Sequence, residues 1–301
     1  MKIISLARAD GLPKEGTSAA LGMFDGVHMG HRRILTAAKN KSTELGISTS
    51  VLLFSSSPHG ASELLPLCDR LHEMEKMGVH FAYVYDFAEL RDKTPEEFVC
   101  EALRDTLHAR AVFAGYNYRF GAKAAGDSET LLRLCGANGI ACGITDRVEA
   151  LGGAVSSSRI RDLLKAGDIE TANALLTYPY YLRAPVEHGK ALGRRLGLPT
   201  VNQTFGARHA LLAHGIYYTK TLVDGRVYLS VSNVGLRPTV EQTERVNLET
   251  HILDFDGDLY GKTVTVEFYG RGRGEMQFEN VDELRRAITL DCDRARAYFE
   301  K

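Results

Sequence analysis

The chain reads as a parallel sheet covered by helices, followed by a small antiparallel β-barrel with a helix at its end. Three observations predict this. In the first half, apolar β-rich runs alternate with helical patterns, the rhythm of βαβ units. From about Tyr181 the runs shorten and glycine breaks them, with Asp224-Gly225 and Asp256-Gly257 as turn signals of the hairpin kind. At 301 residues, 44% hydrophobic and 25% charged, the chain can bury two ordinary cores.

Ser18 to Met23, Ser48 to Phe54, Phe81 to Phe87, Ala111 to Tyr116 and Ile140 to Ile144 read as buried strands. Helical patterns lie between them at Arg32 to Leu45, Pro95 to Leu107 and Glu129 to Ala137. The second opens on Thr94-Pro95-Glu96-Glu97, where Thr94 caps, Pro95 fits the first turn and Glu97 completes a capping box. Two further helices are expected near Ser157 to Lys165 and Ile169 to Leu176. The barrel strands follow at Ile216 to Val223, Arg226 to Val231, Leu248 to Asp254 and Thr263 to Tyr269. A helix at Val281 to Phe299, capped by Asn280 with Glu283 at its third position, closes the chain. The change of texture places a boundary within Leu176 to Leu182, giving domains 1–182 and 183–301.

A formal net charge of -1 gives no global reason to expect nucleic acid or an anionic membrane as partner, so any anion site is local. Cys68, Cys100, Cys135, Cys142 and Cys292 form an odd set without a C-x-x-C, which argues against a disulfide framework or a zinc site. No signal-like start and no 18-residue apolar run occur, so a soluble cytoplasmic protein is expected.

Phe24 to His31, FDGVHMGH, follows a buried strand and leads into a helix. There Gly26 and Gly30 let backbone approach a ligand, while the helix start offers N–H groups to phosphate. His28 and His31, spaced i and i+3, can face the same phosphates as donors to charge that builds during nucleotidyl transfer. Taken alone, H-x-x-H also suits a metal pair or a surface cluster. Ser156 to Arg161, SSSRIR, repeats the logic at a second helix start, although serine is also simply a good N-cap. Gly193 to Asn202, GRRLGLPTVN, combines a glycine- and proline-set backbone with one hydroxyl and one amide able to take Mg²⁺ and phosphate. Gly189-Lys190 upstream adds a flexible cover and a point charge. By itself such a stretch is most often a solvated turn. No G-x-x-x-x-G-K-[ST] loop is present.

These segments resemble, in order, the motifs of the bacterial bifunctional riboflavin kinase/FMN adenylyltransferase family. The first is similar to the HxGH loop of nucleotidylyltransferases, whose domains are Rossmann-like, and Ser156 to Arg161 to the family's S-S-[ST]-x-I-R segment. Gly115 to Gly121, GYNYRFG, resembles the G-[FY]-[DN]-[FY]-x-F-G segment near flavin and nucleotide. In the second half, the G-x-P-T-x-N turn, Asn233 to Thr239 (NVGLRPT), Leu248 to Phe255 (LETHILDF) and Arg273-Gly274-Glu275 with Phe278 match the kinase blocks. The resemblance implies His28 and His31 as catalytic groups of adenylyl transfer, with Gly22, Phe24, Asp25, Gly26, Gly30, Asn117, Ser157, Ser158 and Arg161 around flavin and ATP. It implies Glu249 as the kinase base, Thr200 and Asn202 as Mg²⁺ ligands, and Gly189, Lys190, Gly193, Pro199 and Arg273 as further binding residues. Riboflavin, FMN, FAD and ATP are then the substrates and products.

Three departures stand out. Phe54 to Gly60 reads FSSSPHG where relatives carry F-D-P-H-P, so a carboxylate is missing. Val201 replaces the usual alanine and Ala184 a common glycine. The first departure supports one alternative, a riboflavin kinase whose first domain has weakened. A different nucleotidylyltransferase would leave the second half unexplained. A non-enzymatic flavin-binding regulator would leave Thr200, Asn202 and Glu249 without a purpose.

Overall fold

The structure is a computed structural model that describes residues 1–5, 13, 15–56, 60, 62–189, 197–237 and 245–300. It divides into two compact units, Met1–Ser157 and Ser158–Lys301.

The first unit holds β1 (Lys2–Ser5), β2 (Thr17–Leu21), α1 (Met29–Leu45), β3 (Ser48–Phe54), α2 (Leu67–Lys76), β4 (Phe81–Tyr85) and the short α3 (Phe87–Leu90). Then come α4 (Pro95–Glu97), continued by a π-helical stretch Phe98–Thr106, β5 (Ala109–Gly115), α5 (Ser128–Ala137) and β6 (Ala141–Thr145). A two-strand hairpin follows, β7 (Glu149–Ala150) and β8 (Gly153–Ala154). The six long strands form one parallel sheet in the order β1-β4-β3-β2-β5-β6. Strand periodicity sends alternate residues to opposite faces. Leu52 therefore joins a core with Tyr83, Phe98 and Leu131, while Val51 and Leu53 join another with Ile34, Leu35 and Met74. α1 stops at Gly46, whose left-handed φ of 65° lets its N–H reach the Ser42 and Thr43 carbonyls. The Thr94 capping box forms as expected, with Thr94 Oγ1 accepting from Glu97 N and the Glu97 carboxylate from Thr94 N.

The second unit begins with α6, whose span Ser157–Ala166 starts on the last residue of the first unit, and α7 (Ile169–Leu176). Its sheet contains β9 (Tyr181–Pro185), β10 (Thr200–Thr204), β11 (Gly215–Val223), β12 (Arg226–Arg237), β13 (Arg245–Ile252) and β14 (Thr263–Arg273), all antiparallel, in the order β10-β13-β12-β11-β14-β9. Glu187 N donates to Asn202 O at 2.8 Å, and the Gln203 amide donates to Ala184 O and Val264 O, so the two edge strands are drawn together into a barrel. Thr219, Thr221, Ser230, Ser232 and Thr250 are buried and joined by hydroxyl contacts of 2.8–2.9 Å, a satisfied polar ladder across three strands. α8 (Val281–Phe299) closes the unit, with Asn280 capping Glu283 N.

Asp224 and Gly225, at φ 47° and 79°, make the two-residue turn joining β11 to β12. Asp256-Gly257 does not act as a hairpin turn. β13 pairs with β10 and β12 while β14 pairs with β11 and β9, so this turn lies in a longer connection. A division after residue 182 would pass through β9, which pairs with β14. The contact division falls earlier, at Ser157/Ser158.

Candidate functional site

In the first unit the loop after β2 is built from inside. Phe24 adopts φ 52° and is fully buried, with its ring edge-on to His31 at 5.4 Å. Asp25 is buried, and its Oδ1 accepts from Leu64 N at 2.8 Å and Leu65 N at 3.3 Å. Both residues shape the loop from beneath. Gly26 takes φ 75°, the left-handed turn that brings the chain to His28. His28 is the N-cap of α1, and its Nδ1 accepts from His31 N across 3.4 Å. The two imidazoles stack at 3.7 Å with planes 19° apart. A Cβ at Gly30 would stand 3.1 Å from the His28 ring. Burial, then His28, then Arg70 hold the His31 imidazole well below the ordinary histidine range, so it is neutral near pH 7. Its Nδ1 is enclosed and has no hydrogen-bond partner among the described residues.

Arg70 on α2 is a residue that the sequence reading missed. Fully buried, it donates to Met23 O, Phe54 O and Ser55 O, tying the loop after β2 to the loop after β3. Nothing in LCDRLHEMEK marks one arginine for that task. Gly22, His31, Asn117, Tyr118, Phe120, Phe54 and Phe87 line one cavity of about 560 Å³, with Arg91, Arg119 and Lys123 also in its wall. Aromatic walls with nearby cations suit a flat ring carrying phosphate. Ser157 Oγ donates to Asp25 O at 2.9 Å. Ser158 and Arg161 follow on α6 and count with the second unit. Ser57, Pro58 and His59, within the F-S-S-S-P-H-G departure, lie outside the described residues.

In the second unit β13 carries the candidate base. Its pairing sets Asn202 of β10 and Asn233 of β12 directly opposite Glu249, and Thr200 opposite His251. Two cavities adjoin here. One of about 340 Å³ is lined by Pro199, Thr200, Thr250, Phe255, Asp258 and Tyr260. The other, about 200 Å³, is lined by Thr200, Asn233, Glu249, His251, Arg273 and Phe278. Thr200 belongs to both walls. His251 Nδ1 contacts Pro199 O at 2.8 Å, and since a carbonyl only accepts, that nitrogen carries the proton. A Cβ at Gly189 would stand 2.4 Å from the Asn202 amide, so the chain must pass there without a side chain. Arg273 pairs with the buried Asp291 of α8, Nη2 to Oδ2 at 2.7 Å, and not with Glu275, which faces His214 at 3.7 Å. Lys190 and Gly193, like Pro238 and Thr239, lie outside the described residues.

Known proteins resemble this chain along nearly its whole length. A family model for FAD synthetase matches residues 12–159, and one for riboflavin kinase matches residues 176–299. The bifunctional riboflavin kinase/FMN adenylyltransferase of Bacillus subtilis (strain 168) is 32% identical, over 99% of this chain and 98% of its own length. The chain belongs to that bifunctional family. Its counterpart from Pseudomonas fluorescens is 34% identical over 94% of this chain and 93% of the relative, and that of Escherichia coli (strain K12) is 31% identical over 95% and 94%. A crystal structure described as a macrolide-efflux protein from Streptococcus pneumoniae superposes with a TM-score of 0.88 at 28% identity, covering 98% of this chain and 99% of that one. In this family member no helix among the described residues is long and apolar enough to cross a membrane.

Proposed function

We propose that this enzyme makes flavin cofactors in two steps, phosphorylating riboflavin to FMN in the barrel unit and joining FMN to AMP from a second ATP through the first unit, with release of pyrophosphate. The paired cavities that share Thr200 carry the reading. One cavity takes the nucleotide and the other the acceptor, so the γ-phosphate and the attacking hydroxyl meet beside Thr200. Glu249, on the acceptor side, orients the riboflavin 5′-hydroxyl and takes up its proton as the new P–O bond forms and ADP leaves.

Thr200 and Asn202, two residues apart on β10, offer two neutral oxygens, with Gly189 close against the Asn202 amide. No group of three or more His, Cys, Asp or Glu able to hold a metal ion occurs among the described residues. That donor set fits Mg²⁺ shared with nucleotide phosphates, because Mg²⁺ keeps few protein ligands in such sites. The ion would neutralise phosphate charge. In the first unit the stacked His28 and His31 beside the start of α1 stabilise charge on the α-phosphate and the departing pyrophosphate. The partners are these small molecules, with neither nucleic acid nor membrane. Five unbridged cysteines suit a reducing cytoplasm.

Incubation with riboflavin, ATP and Mg²⁺, with FMN and FAD separated by chromatography, should give both products. FMN alone would favour a kinase with a weakened first unit, the reading to which Ser55 and Ser56 point in place of a carboxylate. Neither product would overturn the assignment.

A further inference from the structure

We propose that Asn247 is a positioning residue of the kinase site, holding Glu249 and Asn202 in one register through a single side-chain amide. This rests on the kinase reading above. Asn247 lies two residues before Glu249 on β13, so both side chains leave the same face of the strand. It is 5% exposed. Its Nδ2 donates to Asn202 Oδ1 at 3.2 Å and to Glu249 Oε1 at 3.4 Å. An ionised carboxylate only accepts, so the atom facing Glu249 must be the nitrogen.

The amide oxygen then has nowhere to go. Asn247 Oδ1 is buried and has no hydrogen-bond partner among the described residues. A buried acceptor left unsatisfied is unfavourable, and asparagine is a poor strand residue. Turning the amide over would set its oxygen against two other acceptors. The position therefore keeps an amide at a local cost, in contact with the two groups on which phosphoryl transfer depends. Asn247 is not among the residues lining either cavity, so it acts through its neighbours. Fixing Oε1 leaves Glu249 Oε2 to meet the acceptor hydroxyl, and fixing Asn202 Oδ1 holds the amide that packs beside Gly189. Neighbours that orient reacting groups in this way act by limiting their rotation.

The test uses the full chain with Asn247→Leu and Asn247→Asp, each without the donor. FMN formation should fall in kcat by about 10- to 100-fold, as for other orienting partners. The KM for riboflavin should stay within about 2-fold. FAD formation from supplied FMN should be unchanged. Because Asn247 acts in part through Glu249, either change made in a Glu249→Gln background should cost less in single-turnover FMN formation than it does alone. Undiminished FMN formation, or the full loss repeated in that background, would overturn the proposal. So would loss of the folded near-UV circular dichroism signal in both variants, which marks a purely structural residue. A wild type that makes no FMN would instead overturn the kinase reading, so the two failures are distinct.

Discussion

Glu249 and His31 have opposite kinds of surroundings. Glu249 stands exposed on β13 and lines the cavity of about 200 Å³. Replacing it by glutamine keeps the shape and removes the proposed base, so Glu249→Gln should lower FMN formation by about 10²-fold or more. FAD formation from supplied FMN should persist. Equal loss of both reactions, or no loss of the first, would sink the assignment. His31 is instead held neutral by burial, His28 and Arg70. Its folded pKa lies below its unfolded value, so the unfolded chain binds the proton more readily. Stability from this residue is complete above the unfolded value of about 6.5 and declines as pH falls below it. The thermal midpoint of the first unit should therefore drop between about pH 7 and pH 5. His31→Gln should flatten that slope; an identical slope in the variant would show that other groups cause it. ATP brings negative charge, which favours the imidazolium, so calorimetry in buffers of different ionisation enthalpy should show proton uptake on ATP binding that His31→Gln removes.

At the scale of elements, what was legible followed from apolar periodicity, and what was missed followed from buried polarity. β3, α7 and α8 fall where the pattern puts them, because their apolar residues repeat at strand or helix period. α2 escaped notice since Asp69, Arg70 and Glu73 are buried beside Leu71 and Met74, so charge interrupts the stripe. β10 escaped because four of the five residues of Thr200 to Thr204 are polar and only Val201 is apolar, and only the folded barrel shows Gln203 binding the carbonyls of two other strands. The candidate site was similarly half legible. Thr200, Asn202 and Glu249 stood out as a pattern, whereas the contacts of Asn247 and Asp291 are ones that short motifs do not encode. The Gly189 crossing is the element-level test. Its missing Cβ leaves room for the Asn202 amide, and forcing one in costs about 1–3 kcal/mol in a packed site. Gly189→Ala should reduce FMN formation about 10-fold or more while leaving FAD formation from FMN intact. Full FMN formation in this variant would mean that the Gly189 segment is not part of the nucleotide site.

For the molecule as a whole, the question is which residues the barrel needs to stand alone. The change of sequence texture near Tyr181 suggested that residues 183–301 suffice, because composition reports where strands begin and not what covers them. The structure adds α6 and α7 to that unit. Asn173 on α7 donates to Phe268 O at 2.8 Å and accepts from Tyr180 N at 2.7 Å. Tyr180 is fully buried and donates to Ala210 O, and Ala213 N donates to Leu164 O of α6. Removing residues 158–182 deletes two of the five residues of β9 and leaves Phe268 O, Ala210 O and Ala213 N without these partners. Each unsatisfied buried group costs about 1–3 kcal/mol, against a total stability of about 5–15 kcal/mol for a domain. The segment from Ser158 to Lys301 should therefore unfold cooperatively and convert riboflavin to FMN, while the segment from Arg183 should express without a folded near-UV circular dichroism signal. If the shorter segment folds and makes FMN at the rate of the longer one, α6 and α7 are dispensable to the kinase and the division after residue 182 is the right one.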